Sequence, residues 1–162
     1  MRVRFQKTLE ILTDHEVEFI VVGGIAAVLQ GAPIITFDLD IVHRRTPENV
    51  QRLLSALRVL EARYRGDPRD LVPATSHLLG PGHNLLTTLH GSLDLLGTIG
   101  SGWSYDDLIA QCITVELGED RIQTLELARL IEVKAEAGRA KDLAVLPTLR
   151  ATLAENEKNR SH

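Results

Sequence analysis

Two acidic residues one position apart are the side chains of this chain best suited to chemistry. Asp38 and Asp40 lie in an apolar run for which a strand is predicted over 34–42. Residues i and i+2 of a strand share a face, so both carboxylates should point one way and Phe37 the other way, into the core. Adjacent carboxylates raise each other's pKa unless a cation lies between them, and carboxylate oxygens suit a hard divalent ion. The two acids therefore predict a site for Mg²⁺, or for Mn²⁺ in its place.

A glycine pair upstream could bind the phosphates that accompany such an ion. Gly23 and Gly24 follow an apolar run for which a buried strand is predicted over 18–22. Because glycine has no side chain, the backbone at this turn can approach a ligand closely, and its amides can face phosphate oxygens. Together with the two acids, the turn predicts a nucleoside triphosphate site.

A third acid, Asp94, interrupts the later apolar run 92–96. A carboxylate in a central strand is costly to bury unless it is paired or bound to a metal. If this strand lies beside the strand of Asp38 and Asp40, the three carboxylates converge and could hold two divalent ions about 3.5–4 Å apart. The alternative is that Asp94 caps a turn or pairs with a nearby arginine. We favour the metal interpretation because all three acids interrupt strands.

The elements that must position these residues follow from the hydrophobic pattern. Helices and strands alternate early in the chain and hairpins follow later, which predicts an α/β (α+β) fold with helices packed against a mixed β-sheet. The further predicted elements are helices over 3–14, 25–29 and 105–110, a helix that starts at Thr46-Pro47-Glu48, a loop over 64–83, and hairpins of 85–89 with 93–96 and 113–117 with 121–123. A C-terminal helix is expected to be capped by Thr124 and to end at Gly138, with a break at Pro147.

We expect a single domain over residues 1–155. Its catalytic strands and turn would occupy about 18–97, its C-terminal helical segment about 124–155, and the polar residues 156–162 would form a flexible tail.

Composition excludes several classes of protein. The 162 residues are 44% hydrophobic and 25% charged, and no apolar run approaches the length of a membrane span. The net charge of −4 argues against a protein that coats nucleic acid, although a local basic patch could still meet one RNA end. One cysteine, Cys112, cannot form an internal disulfide, and the first residues lack the apolar stretch of a secretory signal. We therefore expect a cytoplasmic protein without a membrane partner.

Gly23-Gly24, Thr36, Asp38-x-Asp40 and Asp94 together resemble the DNA polymerase β-type nucleotidyltransferase superfamily. Within it, the chain is most similar to small bacterial members related to the nucleotidyltransferase toxins of abortive-infection-type toxin–antitoxin pairs. A second matching segment comprises 130–134 and 138–143.

The resemblance implies transfer of a nucleoside monophosphate from a nucleoside triphosphate, such as ATP, to an acceptor hydroxyl, with release of pyrophosphate. It implies that Asp38 and Asp40 bind both metal ions, and that Asp94 binds the catalytic ion and helps to deprotonate the acceptor. Gly23 and Gly24 would contact the triphosphate through their backbone.

The same resemblance assigns further residues to the nucleotide. Thr36 would belong to the nucleotide site, and Lys134 aligns with a lysine that binds phosphate, where its charge would suit the departing pyrophosphate. Asp142 is interpreted as orienting Arg139 or Lys134. Independently of the resemblance, His43 follows the acidic strand closely enough to touch a substrate, but we expect the histidines to be ordinary surface residues.

The sequence leaves the acceptor and the partners open. An RNA 3′ end, a protein hydroxyl or a small molecule such as an aminoglycoside could accept the nucleotide, and a cognate antitoxin or a second copy of the chain could complete the site. A second hypothesis is a non-catalytic nucleotidyltransferase-like binding partner, such as one component of a toxin–antitoxin pair. A third takes Asp38-x-Asp40-x-Val42 as the nucleophile motif of a haloacid dehalogenase-type phosphatase, but it gives the glycine pair no role.

Overall fold

The computed structural model of the protein describes residues 2–161, and the side chains of residues 5–161. The helices are α1 (Arg2–Asp14), α2 (Gly23–Leu29), α3 (Pro47–Val59), α4 (Thr75–Leu79), α5 (Tyr105–Leu108), α6 (Leu127–Ala137) and α7 (Ala140–Arg160), with a 3₁₀ turn at Ile109–Gln111. The strands are β1 (Phe19–Val22), β2 (Asp38–His43), β3 (Arg63–Tyr64), β4 (His83–Thr88), β5 (Gly91–Leu96), β6 (Cys112–Leu117) and β7 (Asp120–Leu125).

The strands form one mixed sheet in the order β3-β4-β5-β2-β1-β7-β6. β2 runs parallel to β5 and β1 runs parallel to β7, whereas the other neighbours are antiparallel. One hydrophobic cluster joins the central strands to side chains of α1 and α3. The predicted fold class, a mixed β-sheet with helices packed against it, is confirmed.

The start of α3 shows how a local signal and a distant contact act together. Thr46 caps the helix by accepting a hydrogen bond from the Asn49 amide at 3.3 Å, and Pro47 occupies the first turn, as predicted. The fully buried Asn49 side chain then bridges two strands. Its Nδ2 donates to the carbonyls of Glu18 at 2.9 Å and Arg44 at 2.8 Å, and its Oδ1 accepts from the Glu18 amide at 2.7 Å.

Replacing Asn49 by alanine should therefore destabilise the protein. Three partly buried backbone groups would each lose a hydrogen bond, although the Glu18 carbonyl would keep the one from the Arg44 amide, which predicts a loss of about 1–3 kcal/mol in the free energy of unfolding. Urea unfolding followed by circular dichroism measures it. Gln51→Ala is the control, because Gln51 lies on the same helix and makes one exposed hydrogen bond, to Thr75; a similar loss in both variants would contradict the role of Asn49.

The acidic strand is shorter than the predicted 34–42, because β2 begins at Asp38. Its neighbour β5 supplies partners only from Ser92, which faces Asp38, so the residues before Asp38 have no strand to pair with. Phe37 consequently lies outside the sheet with 75% of its surface exposed. The expectation that Phe37 points into the core is wrong.

The start of the C-terminal helical segment also differs from the prediction. Thr124 lies inside β7, opposite Val21 and Ile113, and α6 begins only at Leu127. Gln30 caps this helix from a distance: its Oε1 accepts from the Leu127 amide and its Nε2 donates to the Leu125 carbonyl, both at 2.9 Å. The sequence pattern misplaced the helix start because the cap comes from 97 residues away. The helix ends at Gly138, as predicted.

The last helix, α7, passes through Pro147 without a break, contrary to the prediction. Proline lacks an amide hydrogen, so the carbonyl of Leu143 loses its helical partner. Leu143 is 50% exposed, so water can take the place of that amide. The helix continues to Arg160, through most of the segment for which a flexible tail was expected. Between residues 2 and 161, no helix combines the length and the apolar character that crossing a membrane requires.

Candidate active site

Parallel pairing of β2 with β5 brings two of the predicted acids together. Asp40 lies opposite Asp94, and Asp38 lies opposite Ser92. Residues in register on neighbouring strands share a face of the sheet, so the carboxyl groups of Asp40 and Asp94 lie side by side, within hydrogen-bonding reach. We refer to Asp40 and Asp94 as the acid pair.

Asp40 does not behave as an ordinary carboxylate in this setting. Burial raises its pKa most, followed by the hydrogen bond to Asp94 and the negative charges of Asp94 and Asp38, while Lys134 lowers it in part; together they raise the pKa to about 7. The acid pair therefore holds a proton near neutral pH when no other cation neutralises it.

Asp94 has a cationic partner that the sequence did not identify. Arg65, directly after β3, places its Nη2 at 2.6 Å from Asp94 Oδ1. Pairing with an arginine was the alternative to metal binding in the sequence analysis. Arg65 lies in a segment predicted as a loop with at most a short strand, with no periodicity or motif around it, so no sequence signal could have linked it to Asp94.

Asp38 completes the set of acids from the edge of the site. Asp38 is exposed at the start of β2, and its negative charge contributes to the raised pKa of Asp40. Over residues 2–161, no three His, Cys, Asp or Glu side chains lie close enough to enclose a metal ion. The acid pair is thus the preformed part of the site, and Asp38 would have to approach it.

The donors of this site fit a divalent cation such as Mg²⁺ or Mn²⁺. They are carboxylate oxygens only, which are the ligands that such ions prefer. Burial and the neighbouring carboxylates raise the pKa of Asp40, so a bound cation would be favoured over a proton at this residue.

The turn after β1 requires glycine at both positions for reasons visible in the packing. Gly23 has a φ of +67°, and a Cβ built on it would collide with Asp40 Oδ2. A Cβ on Gly24 would lie 2.8 Å from Thr36 Oγ1. The two glycines thus bring the backbone directly against Asp40 and Thr36, and we call them the glycine turn.

Gly23→Ala should disturb both the fold and the acids. A left-handed alanine and its contact with Asp40 together predict a loss of about 2 kcal/mol or more in the free energy of unfolding. Any stabilisation by Mg²⁺ in a thermal shift assay should also fall. Gly118→Ala is a matched control. Gly118 also has a left-handed backbone, with a φ of +63°, but the atom nearest to a Cβ added there would lie 3.5 Å away, in the Gln6 side chain. Equal effects of the two substitutions would show that the contact with Asp40 is unimportant.

A cleft of about 180 Å³ lies beside Asp40. Gly23, Asp40, Lys134 and Arg139 all line it. Apolar side chains complete the walls, namely Val22, Leu96, Ile99, Leu130 and Val133. The cleft can accept an anionic ligand between Gly23 and the two cations, provided that a cation also neutralises Asp40.

A buried aspartate holds the two cations in position. Asp142, in the first turn of α7, is 1% exposed and accepts hydrogen bonds from Arg139 Nε at 2.6 Å and Nη2 at 3.3 Å. Lys134 Nζ lies 3.6 Å from Asp142 Oδ1. Burial raises the pKa of Asp142, but Arg139 and Lys134 outweigh it and the net pKa is lowered. Asp142 is therefore an ionised anchor for both Arg139 and Lys134.

Other residues singled out from the sequence lie outside the site. His43 is fully buried, and its Nε2 hydrogen-bonds the Leu78 carbonyl at 2.8 Å, so the expectation of an ordinary surface residue is wrong and it cannot touch a substrate either. Burial raises the pKa of Cys112 to about 12, which removes it as a nucleophile at neutral pH.

Trp103 supports the wall of the cleft from behind. The Arg129 guanidinium lies 4.7 Å from the centre of its ring, and the backbone bridge of Trp103 to Ile99 closes the loop that contributes Ile99 to the cleft.

Comparison with known proteins identifies the class of fold. No model of a known protein family matches the sequence, and no curated protein matches it. Solved structures do match: the chain has the minimal nucleotidyltransferase fold, a mixed sheet with helices packed against it.

Two of these structures cover nearly all of the chain. One is a protein from Thermotoga maritima, TM1012, assigned as a nucleotidyltransferase; it is 19% identical, with a TM-score of 0.58 over 93% of this chain and 91% of that one. The other is the antibiotic-resistance factor ANT(2'')-Ia, which is 14% identical, with a TM-score of 0.62 over 96% of this chain and 85% of that one. At these identities the likeness establishes the fold, and the activity has to be argued from the site.

Proposed function

We propose that this protein is a nucleotidyltransferase, which moves a nucleoside monophosphate from a nucleoside triphosphate to an acceptor hydroxyl and releases pyrophosphate. The observation that carries the proposal is the acid pair, Asp40 beside Asp94, with Asp40 lining a cleft that Lys134 and Arg139 also line. The shared fold with two nucleotidyltransferases supports it.

The cation side of the cleft would bind the donor phosphates. Lys134 and Arg139 offer positive charge held in place by Asp142, so it needs no reorganisation when pyrophosphate charge develops. The glycine turn would bring its backbone against the triphosphate, with Thr36 packed behind Gly24.

The acid side would carry the chemistry. Asp38, Asp40 and Asp94 would hold divalent ions, Mg²⁺ or Mn²⁺, which when bound polarise the phosphoryl oxygens and lower the pKa of a nearby hydroxyl. Asp94 would accept the proton of the acceptor hydroxyl at its carboxylate. Asp40 would hold the divalent ion whose positive charge lets the α-phosphate lie next to two carboxylates, and the hydroxyl oxygen would attack phosphorus in line with the leaving pyrophosphate.

The finer assignment concerns the acceptor and the biological role. Within the class, we propose kinship with the small bacterial nucleotidyltransferases of abortive-infection-type toxin–antitoxin pairs, acting in the cytoplasm on an RNA end or a protein hydroxyl. A cognate antitoxin or a second copy of the chain would then be the partner. A small-molecule acceptor is the other option, since ANT(2'')-Ia is by name an antibiotic-resistance factor.

A second candidate function is a non-catalytic binding partner that keeps this fold, such as one component of a toxin–antitoxin pair. It is favoured by the ion pair between Arg65 and Asp94. A protein of this kind would neither bind divalent ions at the acids nor cleave any triphosphate.

The test is a screen of donors and acceptors. The protein is incubated with each of the four α-³²P-labelled ribonucleoside triphosphates and Mg²⁺ or Mn²⁺, with total RNA, a cell protein extract or an aminoglycoside. We expect one donor to label one acceptor class, with pyrophosphate formed in equal amount. Absence of label and of pyrophosphate from every combination would favour the non-catalytic function, and a phosphoenzyme on Asp38 trapped by beryllofluoride would favour the phosphatase hypothesis instead.

A further inference from the structure

Arg65 belongs to a row of residues that crosses the sheet through the acid pair. Asp40 on β2 faces Asp94 on β5, and Asp94 faces Leu85 on β4. The Arg65 amide continues this row by donating to the Leu85 carbonyl at 2.9 Å. The backbone thus fixes Arg65 two strands from Asp94, on the same face, and its long side chain spans the gap over Leu85.

The side chain of Arg65 is committed to the acids. Its Nη2 lies 2.6 Å from Asp94 Oδ1 and donates a second hydrogen bond to the Leu86 carbonyl at 2.8 Å. The Asp94 side chain is only 14% exposed and that of Arg65 34%, so water screens this ion pair less than it screens a surface pair. A guanidinium therefore occupies one of the two oxygens through which Asp94 could bind a metal ion.

We propose that Arg65 is a resident counter-ion of Asp94 that competes with divalent cations for the acid pair, so that an ion can bind fully only when Arg65 withdraws. This inference deepens the proposed function, because it requires the acid pair to be a cation site. Two like charges beside one carboxylate repel each other strongly in a partly buried site, so the guanidinium and a divalent ion cannot both bind Asp94 without cost.

Arg65 has room to withdraw. It also lines an open groove of about 630 Å³ at the edge of the sheet, together with Asp67, Arg69 and His77. The carboxylate in this groove, that of Asp67, is already paired with Arg69 at 2.9 Å. Arg65 thus has space in the groove, but the described residues that line it offer no free carboxylate to attract it. The metal-free protein therefore keeps Arg65 on Asp94.

The test is the affinity of the whole protein for Mn²⁺ without nucleotide, measured from the electron paramagnetic resonance signal of free Mn²⁺. Arg65→Gln should bind Mn²⁺ at least about tenfold more tightly than the wild type. Arg65→Lys keeps the charge and should stay within about twofold of the wild type. Arg63→Gln is the matched control and should also stay within about twofold, because Arg63 pairs with the exposed Asp70 at 3.6 Å.

The same measurement in the Asp94→Asn background separates competition from a general structural effect. Arg65→Gln should give no further gain there, because the carboxylate for which Arg65 competes is gone. A Mn²⁺ affinity of Arg65→Gln equal to or below that of the wild type, while Asp40→Asn abolishes binding, would overturn this inference alone. No Mn²⁺ binding by the wild type or by Arg65→Gln would overturn both the inference and the metal site of the proposed function.

Discussion

Asp40→Asn and Asp94→Asn should each reduce nucleotidyl transfer by about 10³-fold or more while leaving the fold intact. Either change removes one charge of the acid pair and keeps the shape of the side chain. Each carboxylate would supply its own ligand oxygens to the divalent ion from a different strand, so the loss of either would leave the ion incompletely held. Initial rates of pyrophosphate release with the donor found in the screen give the measurement.

Asp70→Asn is the control for this comparison. Asp70 lies in the loop beyond β3, and its side chain is 79% exposed, so its charge does not reach the acid pair. Asparagine also tolerates the left-handed backbone of this residue, where φ is +54°. Activity retained in full by either acid-pair variant would show that transfer takes place elsewhere.

The stability of the metal-free protein should fall as the pH rises from 5 to 8, through the titration of Asp40. The folded pKa of about 7 exceeds the ordinary value of 3.8, so the folded state binds a proton that the unfolded state has released. This contribution is complete below pH 4 and is lost as the pH rises through 7, and it predicts a decrease of about 2–4 kcal/mol in the free energy of unfolding.

Asp40→Asn removes this titration and is the variant to compare. Its unfolding free energy in EDTA at pH 8 should exceed that of the wild type, and the difference should shrink as the pH falls and vanish only below pH 4. The quantity to report is the difference in unfolding free energy between the two proteins, because the titration of His43 changes the stability of each in the opposite direction to Asp40. Burial lowers the pKa of His43, so it costs stability as the pH falls below 6.5, equally in both proteins.

Stabilisation of the protein by Mg²⁺ should depend on pH as well. The ion would replace the proton at the acid pair, so it should stabilise the wild type more at pH 8 than at pH 5. It should leave Asp40→Asn unchanged. A wild type whose stability is the same as that of Asp40→Asn at every pH would contradict the raised pKa of Asp40.

The parts of the fold that the sequence predicted best are those with local causes. Thr46 caps α3 through a residue three positions away, and the alternation of Asp38 and Asp40 with apolar residues marks β2. The mixed sheet follows from the order of helices and strands, which needs no knowledge of which strands touch. Helix and strand types are therefore accessible from short windows of sequence.

The parts that were missed depend on contacts between distant residues. Gln30 caps α6 from far away in the chain, and the length of β2 is set by where β5 begins. The pairing of Asp40 with Asp94 could be stated only on the condition that their strands are neighbours. Arg65 could not be found at all, since its contact with Asp94 depends on two strand pairings, one that places Arg65 beside Leu85 and one that places Leu85 beside Asp94.

The most direct test of the account follows the two ends of the donor triphosphate in a pair of parallel reactions. The donor carries ³²P at the α position in one sample and at the γ position in the other, and the wild type is compared with Asp40→Asn. We predict that the wild type attaches the α label to the acceptor and releases the γ label as pyrophosphate, and that Asp40→Asn does neither. Transfer of the γ label to the acceptor, or equal transfer of the α label by Asp40→Asn, would contradict nucleotidyl transfer at the acid pair.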